Sequence, residues 1–147
     1  MPIKFNIYCR KSTDEEGKQV RSIEDQLTEL KDFAAKENLV VVDTFIEKQS
    51  AKTPGRPVFN QMLDKMEKEK ITGILSWHPD RLARNSVDGG KIIYLLDTGI
   101  IDSLKFPTFW FENSSQGKFN LNLSFGQAKY YVDNLAQNIK RGMVNKA

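Results

Sequence analysis

Residues suited to phosphate chemistry fall at three places in the chain. Arg10 and Ser12 lie two apart near the amino terminus, Arg56 follows a Pro-Gly turn, and Asp80, Arg81 and Arg84 sit together after an apolar run. An arginine offers phosphate oxygens a planar, permanently charged fork of donors. A serine hydroxyl beside it supplies a nucleophile. Negative charge grows on those oxygens in a pentacovalent transition state, so guanidinium groups fixed there would speed the step. Asp80 could pass a proton to or from a departing sugar oxygen, or orient the arginines. Each arginine alone reads as a surface charge, and Arg-x-Ser alone is common. Four arginines around one serine carry too much like charge for a structural cluster, which points to an anion and most simply to a phosphodiester.

Those residues meet only if the elements carrying them share an edge. Residues 3–13 read as a short buried strand that delivers Arg10 and Ser12 to a polar loop, so Tyr8, Arg10 and Ser12 share one face and Cys9 turns to the core on the other. Residues 14–21 form a polar loop. Ser22 then caps a helix in which Ile23, Leu27, Leu30, Phe33 and Ala34 keep helical spacing to about Glu37. Residues 39–46 are β-branched and aromatic, a second buried strand. After a polar loop, Pro57 opens a helix with Val58, Met62, Leu63 and Met66 on its inner face, ending near Lys70. Residues 71–77 form a third strand that runs into His78 and the Asp80–Asn85 stretch. Ile92, Ile93, Leu95 and Leu96 mark another helix, stopped at Gly99. Residues 103–106 and 108–111 read as two short strands and 113–118 as a loop.

This alternation predicts an α/β fold: a mainly parallel sheet of four to five strands, with helices on both faces and right-handed crossovers. Parallel strands put the three loops at one edge, where such sheets bind ligands. Arg10, Arg56, Arg81 and Arg84 then converge with Ser12. Phe125, Ala128, Val132, Leu135, Ile139 and Met143 recur at steps of three and four, a stripe suited to pairing a long terminal helix with another subunit. The division is a core over residues 1–118 and a dimerisation helix over 119–147.

Composition narrows the classes. Cys9 is the single cysteine, which excludes an internal disulfide and suits a reducing cytoplasm. With His78 the single histidine, no Cys/His metal cluster can be built. No apolar run is long enough to span a membrane, and the first residues lack a signal-peptide profile. The net charge of +3 is modest, but Lys118, Lys129, Lys140, Arg141 and Lys146 face only Asp133 in the last stretch. A basic end suggests a polyanion there, with Lys140, Arg141 and Lys146 as its contacts. Tyr8 and His78 read as packing residues beside the cluster, and Trp77 and Trp110 as core or interface anchors.

Taken together, Tyr8-Cys9-Arg10-Lys11-Ser12-Thr13, Ser22-Ile23-Glu24-Asp25-Gln26, Gly55-Arg56-Pro57 and Asp80-Arg81-Leu82-Ala83-Arg84-Asn85 resemble the serine recombinase family of resolvases, invertases and phage-type integrases. The run from Ala128 to Leu135 and on through Gly142 looks like the large serine integrase branch. The resemblance implies that Ser12 attacks a DNA phosphate to give a 5′-phosphoserine and a free 3′-hydroxyl. It implies that Arg10, Arg56, Arg81 and Arg84 hold the scissile phosphate, that Asp80 supports them, and that Gln26 lies near the nucleophile. It further implies double-stranded attachment sites, a homodimer assembling into a synaptic tetramer, room for a directionality factor, and no cofactor or catalytic metal. Departures are Lys129-Tyr130 where many relatives carry Glu-Arg, and Glu47-Lys48 where smaller relatives place Asp before Lys. Relatives continue into DNA-binding domains, so the chain looks like the catalytic domain of a longer protein, and such a domain can be inactive alone. Two other classes remain open: a catalytically silent DNA-binding or assembly module, and a small α/β phosphatase or nucleotide binder. The last lacks both a Walker-type Gly-rich loop and a Cys-x5-Arg loop.

Overall fold

The central strand of the sheet is β1 (Lys4–Arg10), buried from its second residue to its last. The computed structural model describes residues 3–11, 22–48 and 55–125. Among them β1, β2 (Val40–Glu47), β3 (Gly73–Ser76) and β4 (Ser103–Lys105) form one sheet in the order β2-β1-β3-β4, every pairing parallel. The chain moves outward from β1 to β2 and then crosses back over β1 to β3. The switch point of the sheet therefore lies between β1 and β3.

Each connection is a helix, and the two faces are covered by different ones. Helix α1 (Ile23–Lys36) packs Leu30 and Ala34 on Phe5, Ile7, Cys9 and Leu75. Helix α2 (Pro57–Glu69) and helix α4 (Ser86–Asp97) pack Phe59, Met62, Leu63, Met66, Ile92, Leu95 and Leu96 on the opposite face, with Tyr8, Ile74 and Leu104. The alternation along β1 thus sends Cys9 to one core, and Tyr8 and Arg10 to the other side. The ends follow local chemistry. Ser22 Oγ accepts from the Asp25 amide at 3.1 Å, while Asn38 and Lys70 close α1 and α2 with left-handed backbone. Arg56 gives α2 no side-chain cap. Instead Glu47, at the end of β2, accepts from the Phe59 amide at 2.8 Å and the Val58 amide at 3.4 Å.

Four features differ from the sequence reading. The valines Val40, Val41 and Val42 are exposed, because β2 is an edge strand with one neighbour. Residues 108–111 form no strand: the chain turns back after β4, and Phe109 makes only an isolated antiparallel bridge to Phe106. A one-turn helix, α3 (Pro79–Leu82), lies inside the polar stretch after β3. The loop expected over 113–118 is short, and residues 115–125 are helical. Ser114 Oγ accepts from the Gly117 amide at 3.1 Å there, and a Cβ on Gly117 would fall 1.7 Å from the Glu112 carbonyl. Leu121 and Phe125 join the core, and a Cβ on Gly89 of α4 would lie 3.1 Å from the Phe125 side chain. This part of the terminal helix packs on its own domain. The remainder of the heptad stripe, from Ala128 on, lies outside the described residues, as do Lys140, Arg141 and Lys146.

Candidate active site

The carboxyl end of β1 is gripped by a helix side chain. Gln26, fully buried in the first turn of α1, donates Nε2 to the Arg10 carbonyl at 3.1 Å and accepts from the Arg10 amide at 3.4 Å. Arg81 Nη1 donates to the same carbonyl at 3.0 Å. The peptide that leads toward Ser12 is thus held by two side chains from different elements. Ser12 itself lies outside the described residues.

The side chain of Arg10 is also buried and reaches across to α3. Its Nε donates to the Arg81 carbonyl at 3.2 Å and its Nη2 to the Asp80 carbonyl at 3.0 Å. Arg56 approaches the same turn. Its Nη1 donates to the Arg81 carbonyl at 3.4 Å and its Nη2 to the Leu82 carbonyl. The Arg56 guanidinium lies 4.0 Å from the Phe59 ring centroid and pairs with Asp88 at 3.1 Å. Tyr8 accepts from Arg56 Nη1 at 3.0 Å and donates to Glu47 Oε1 at 3.2 Å. Burial raises the Tyr8 phenol above its ordinary range against the pull of Arg56, so the hydroxyl keeps the proton that it donates.

Asp80 and Arg81 are neighbours that pair with each other. Arg81 Nε lies 3.0 Å from Asp80 Oδ1, and Nη2 lies 3.4 Å from Oδ2. His78 precedes α3, with its Nδ1 3.3 Å from the Asp80 amide nitrogen and 3.2 Å from Asp80 Oδ1. Burial alone would raise the Asp80 carboxyl, but the hydrogen bonds and charge of His78 and Arg81 hold it below the ordinary carboxylate range. Asp80 is therefore an anion at neutral pH, a group that orients arginines and accepts protons only weakly. Arg84, half-buried, follows in the turn between α3 and α4.

Of the residues singled out by sequence, the fold brings together Arg10, Gln26, Arg56, Asp80 and Arg81 around one turn at the switch point. The charge reading needs correction. Arg10, Arg56 and Arg81 do form a structural cluster, because Asp80, Asp88 and Glu47 and the carbonyls of α3 lie among them. Sequence reasoning missed Asp88, Asn85 and the helix-capping role of Glu47. The legible signal was the spacing Asn85-x-x-Asp88, an N-cap pattern: Asn85 Oδ1 accepts from the Asp88 amide at 2.8 Å, and its Nδ2 donates to Asp88 Oδ2 at 2.9 Å. Trp77 donates Nε1 to Glu29 of α1, while Trp110 is 76% exposed and no core residue. Among the described residues no three His, Cys, Asp or Glu side chains gather as a metal site requires, and no helix is long and apolar enough to cross a membrane.

Comparison with known proteins agrees with this architecture. The N-terminal catalytic domain of TP901-1 integrase superposes with a TM-score of 0.65 at 21% identity, over 93% of this chain and 98% of that one. A resolvase family site-specific recombinase from Streptococcus pneumoniae gives 0.61 at 22%, over 99% and 98%. The C-terminal catalytic domain of ISC1926 TnpA, an IS607-like serine recombinase, gives 0.58 at 20%, over 96% and 99%. At these identities the likeness is one of fold. No curated protein sequence matches the chain. The family described as "Resolvase, N terminal domain" matches residues 5–147, and the chain belongs to that family, the catalytic domains of the serine recombinases.

Proposed function

We propose that this chain is the catalytic domain of a site-specific DNA recombinase of the large serine integrase kind. Ser12 Oγ attacks a backbone phosphorus. The Oγ–P bond forms as the P–O3′ bond breaks, the serine proton is released, and the departing 3′-oxygen takes up a proton. A 5′-phosphoserine and a free 3′-hydroxyl result, and attack by a 3′-hydroxyl after strand exchange reverses the step. Arg10, Arg81 and Arg84 steady the phosphate oxygens and Asp80 keeps the arginines in register. Gln26 positions the strand end that carries Arg10. The partners are double-stranded attachment sites and further copies of the chain, a dimer that assembles into a tetramer. Lys140, Arg141 and Lys146 contribute backbone contacts to DNA.

The observation that supports this reading best is the placement of Arg81 against the last peptide of β1, two residues before Ser12, with the Asp80 carbonyl on the Arg10 guanidinium. The test is a covalent adduct. Full-length protein carrying this chain is incubated with DNA spanning an attachment site and digested, and the Ser12 peptide is weighed by mass spectrometry. A nucleotide on Ser12, absent in Ser12→Ala while DNA binding persists, is the expected result; an adduct that survives Ser12→Ala removes the serine from its role. A silent DNA-binding or assembly module is the second reading. It is favoured by one observation, that Arg10, Arg56 and Arg81 all donate to protein carbonyls. It predicts DNA binding without any adduct.

A further inference from the structure

Helix α3 is four residues long, and a single turn does not hold itself together in water. Its last carbonyls need partners from outside. The Pro79 carbonyl accepts from the Ala83 amide at 3.1 Å, and the next three are taken by arginine side chains. Arg10 holds the carbonyls of Asp80 and Arg81; Arg56 holds those of Arg81 and Leu82. Two guanidinium groups therefore cap the turn in place of solvent, at the helix end that favours positive charge.

Arg10 is fixed at the end of β1 by the sheet and by Gln26. Arg56 is the N-cap of α2, where its carbonyl accepts from the Asn60 amide at 3.1 Å. Its guanidinium is held by the buried ion pair with Asp88, whose two side chains are 1% and 5% exposed. Asp88 is held in turn by Asn85, which binds both its amide and its Oδ2. Tyr8 and the face of Phe59 complete the enclosure.

We propose that Asp88 is a positioning residue for strand cleavage: it fixes Arg56, Arg56 fixes the carbonyls of Arg81 and Leu82, and the turn so held presents Asp80, Arg81 and Arg84 to the phosphate. Arg56 then acts from behind the turn and does not touch the phosphate. The inference rests on the reading of Ser12 as nucleophile. Its rival is a latch, in which Asp88 withholds Arg56 from the DNA. The two differ in sign, since removing the Asp88 charge slows cleavage in the first case and speeds it in the second.

The experiment measures the single-turnover rate of Ser12–DNA adduct formation in full-length protein. Asp88→Asn keeps the shape and removes the charge; the rate falls on the order of 10²-fold, the penalty of a small misplacement, while DNA affinity by gel shift stays within about twofold. Arg56→Lys falls comparably, and the double variant falls no further than the worse single one, because both changes break one chain of contacts. Asn85→Ser retains an acceptor for the Asp88 amide and removes the donor to Asp88 Oδ2, so it slows the adduct in a protein whose fold is intact. It decides the matter should Asp88→Asn unfold. Hydrogen exchange in residues 80–84 rises in both variants ahead of global unfolding. An Asp88→Asn rate at or above wild type, additive losses in the double variant, or an unchanged rate in folded Asn85→Ser overturns the inference while the wild-type adduct stands. A wild-type protein that forms no Ser12 adduct overturns both.

Discussion

Replacing Gln26 by leucine tests how the strand end is held. Leucine is of similar size and suits a fully buried helical position, so packing changes little and the loss is polar. The Arg10 carbonyl loses the bond from Nε2 at 3.1 Å but keeps Arg81 Nη1 at 3.0 Å, a deficit near 1 kcal/mol. The Arg10 amide loses its 3.4 Å acceptor in a site closed to water, a deficit of about 1–3 kcal/mol. Together Gln26→Leu costs about 2–4 kcal/mol, a large share of the roughly 5–15 kcal/mol that a domain possesses. Ser22→Ala at the exposed cap of the same helix is the control, with an expected cost near 1 kcal/mol. Urea unfolding of both variants at unchanged denaturant slope measures the difference. A Gln26→Leu protein within about 0.5 kcal/mol of wild type, or more stable than Ser22→Ala, would refute the view that this side chain grips the strand.

The Asp80 carboxyl is depressed in the folded chain, so the unfolded chain binds its proton first on acidification. Its contribution is complete above the ordinary aspartate value of about 3.9 and drains as pH falls further toward the folded-state value. The stability gap between wild type and Asp80→Asn should stay level from pH 7 to pH 5 and narrow below about pH 4; a gap that widens in acid by urea titration would contradict this. Burial pushes the Cys9 thiol up to about 12, so at pH 8 roughly one molecule in 10⁴ carries a thiolate. Native protein should resist a thiol reagent that labels it at once in urea, and prompt native labelling would place Cys9 outside the core. A Cβ on Gly73 would meet the Phe5 ring at 2.5 Å, so Gly73→Ala should cost about 1–3 kcal/mol, with partial recovery when Phe5→Leu is added. A thermal melt showing no loss for the single variant would refute that packing.

The elements with their own periodicity were legible. Apolar spacing gave α1, α2 and α4, and the cap Ser22 and Pro57 at the first helical position opened the first two where the sequence placed them. Helix α3 was not legible, because four residues carry no period and the groups that stabilise it come from Arg10 and Arg56, far away in the chain. Val40, Val41 and Val42 read as buried because β-branching marks a strand without saying how many neighbours it has. Of the site, the arginines, Asp80 and Gln26 could be named from residue type and motif. The work assigned to Glu47 and Asp88 could not, since a capping carboxylate and an ion-pair carboxylate look alike in sequence until the fold shows which donor each one meets.

The balance of charge explains how such a site can be both stable and receptive. Guanidinium groups brought together without counter-charge would repel by several kcal/mol per close pair, even at an effective dielectric constant near 20. Among the described residues the fold sets Asp80, Asp88 and Glu47 among Arg10, Arg56 and Arg81, a formal sum of 3 − 3 = 0, and Arg84, half-buried in the turn after α3, adds one positive charge. One phosphodiester carries one negative charge. A cluster neutralised to within a single charge can fold unaided, as the buried Arg10 and Arg56 require, and under the proposed recombinase reading the charge left over is the one that a backbone phosphate would cancel. On the proposed reading the acids leave the site one positive charge for one phosphate, while Arg10, Arg56 and Arg81, each donating to a carbonyl of the protein itself, are held in place by the fold.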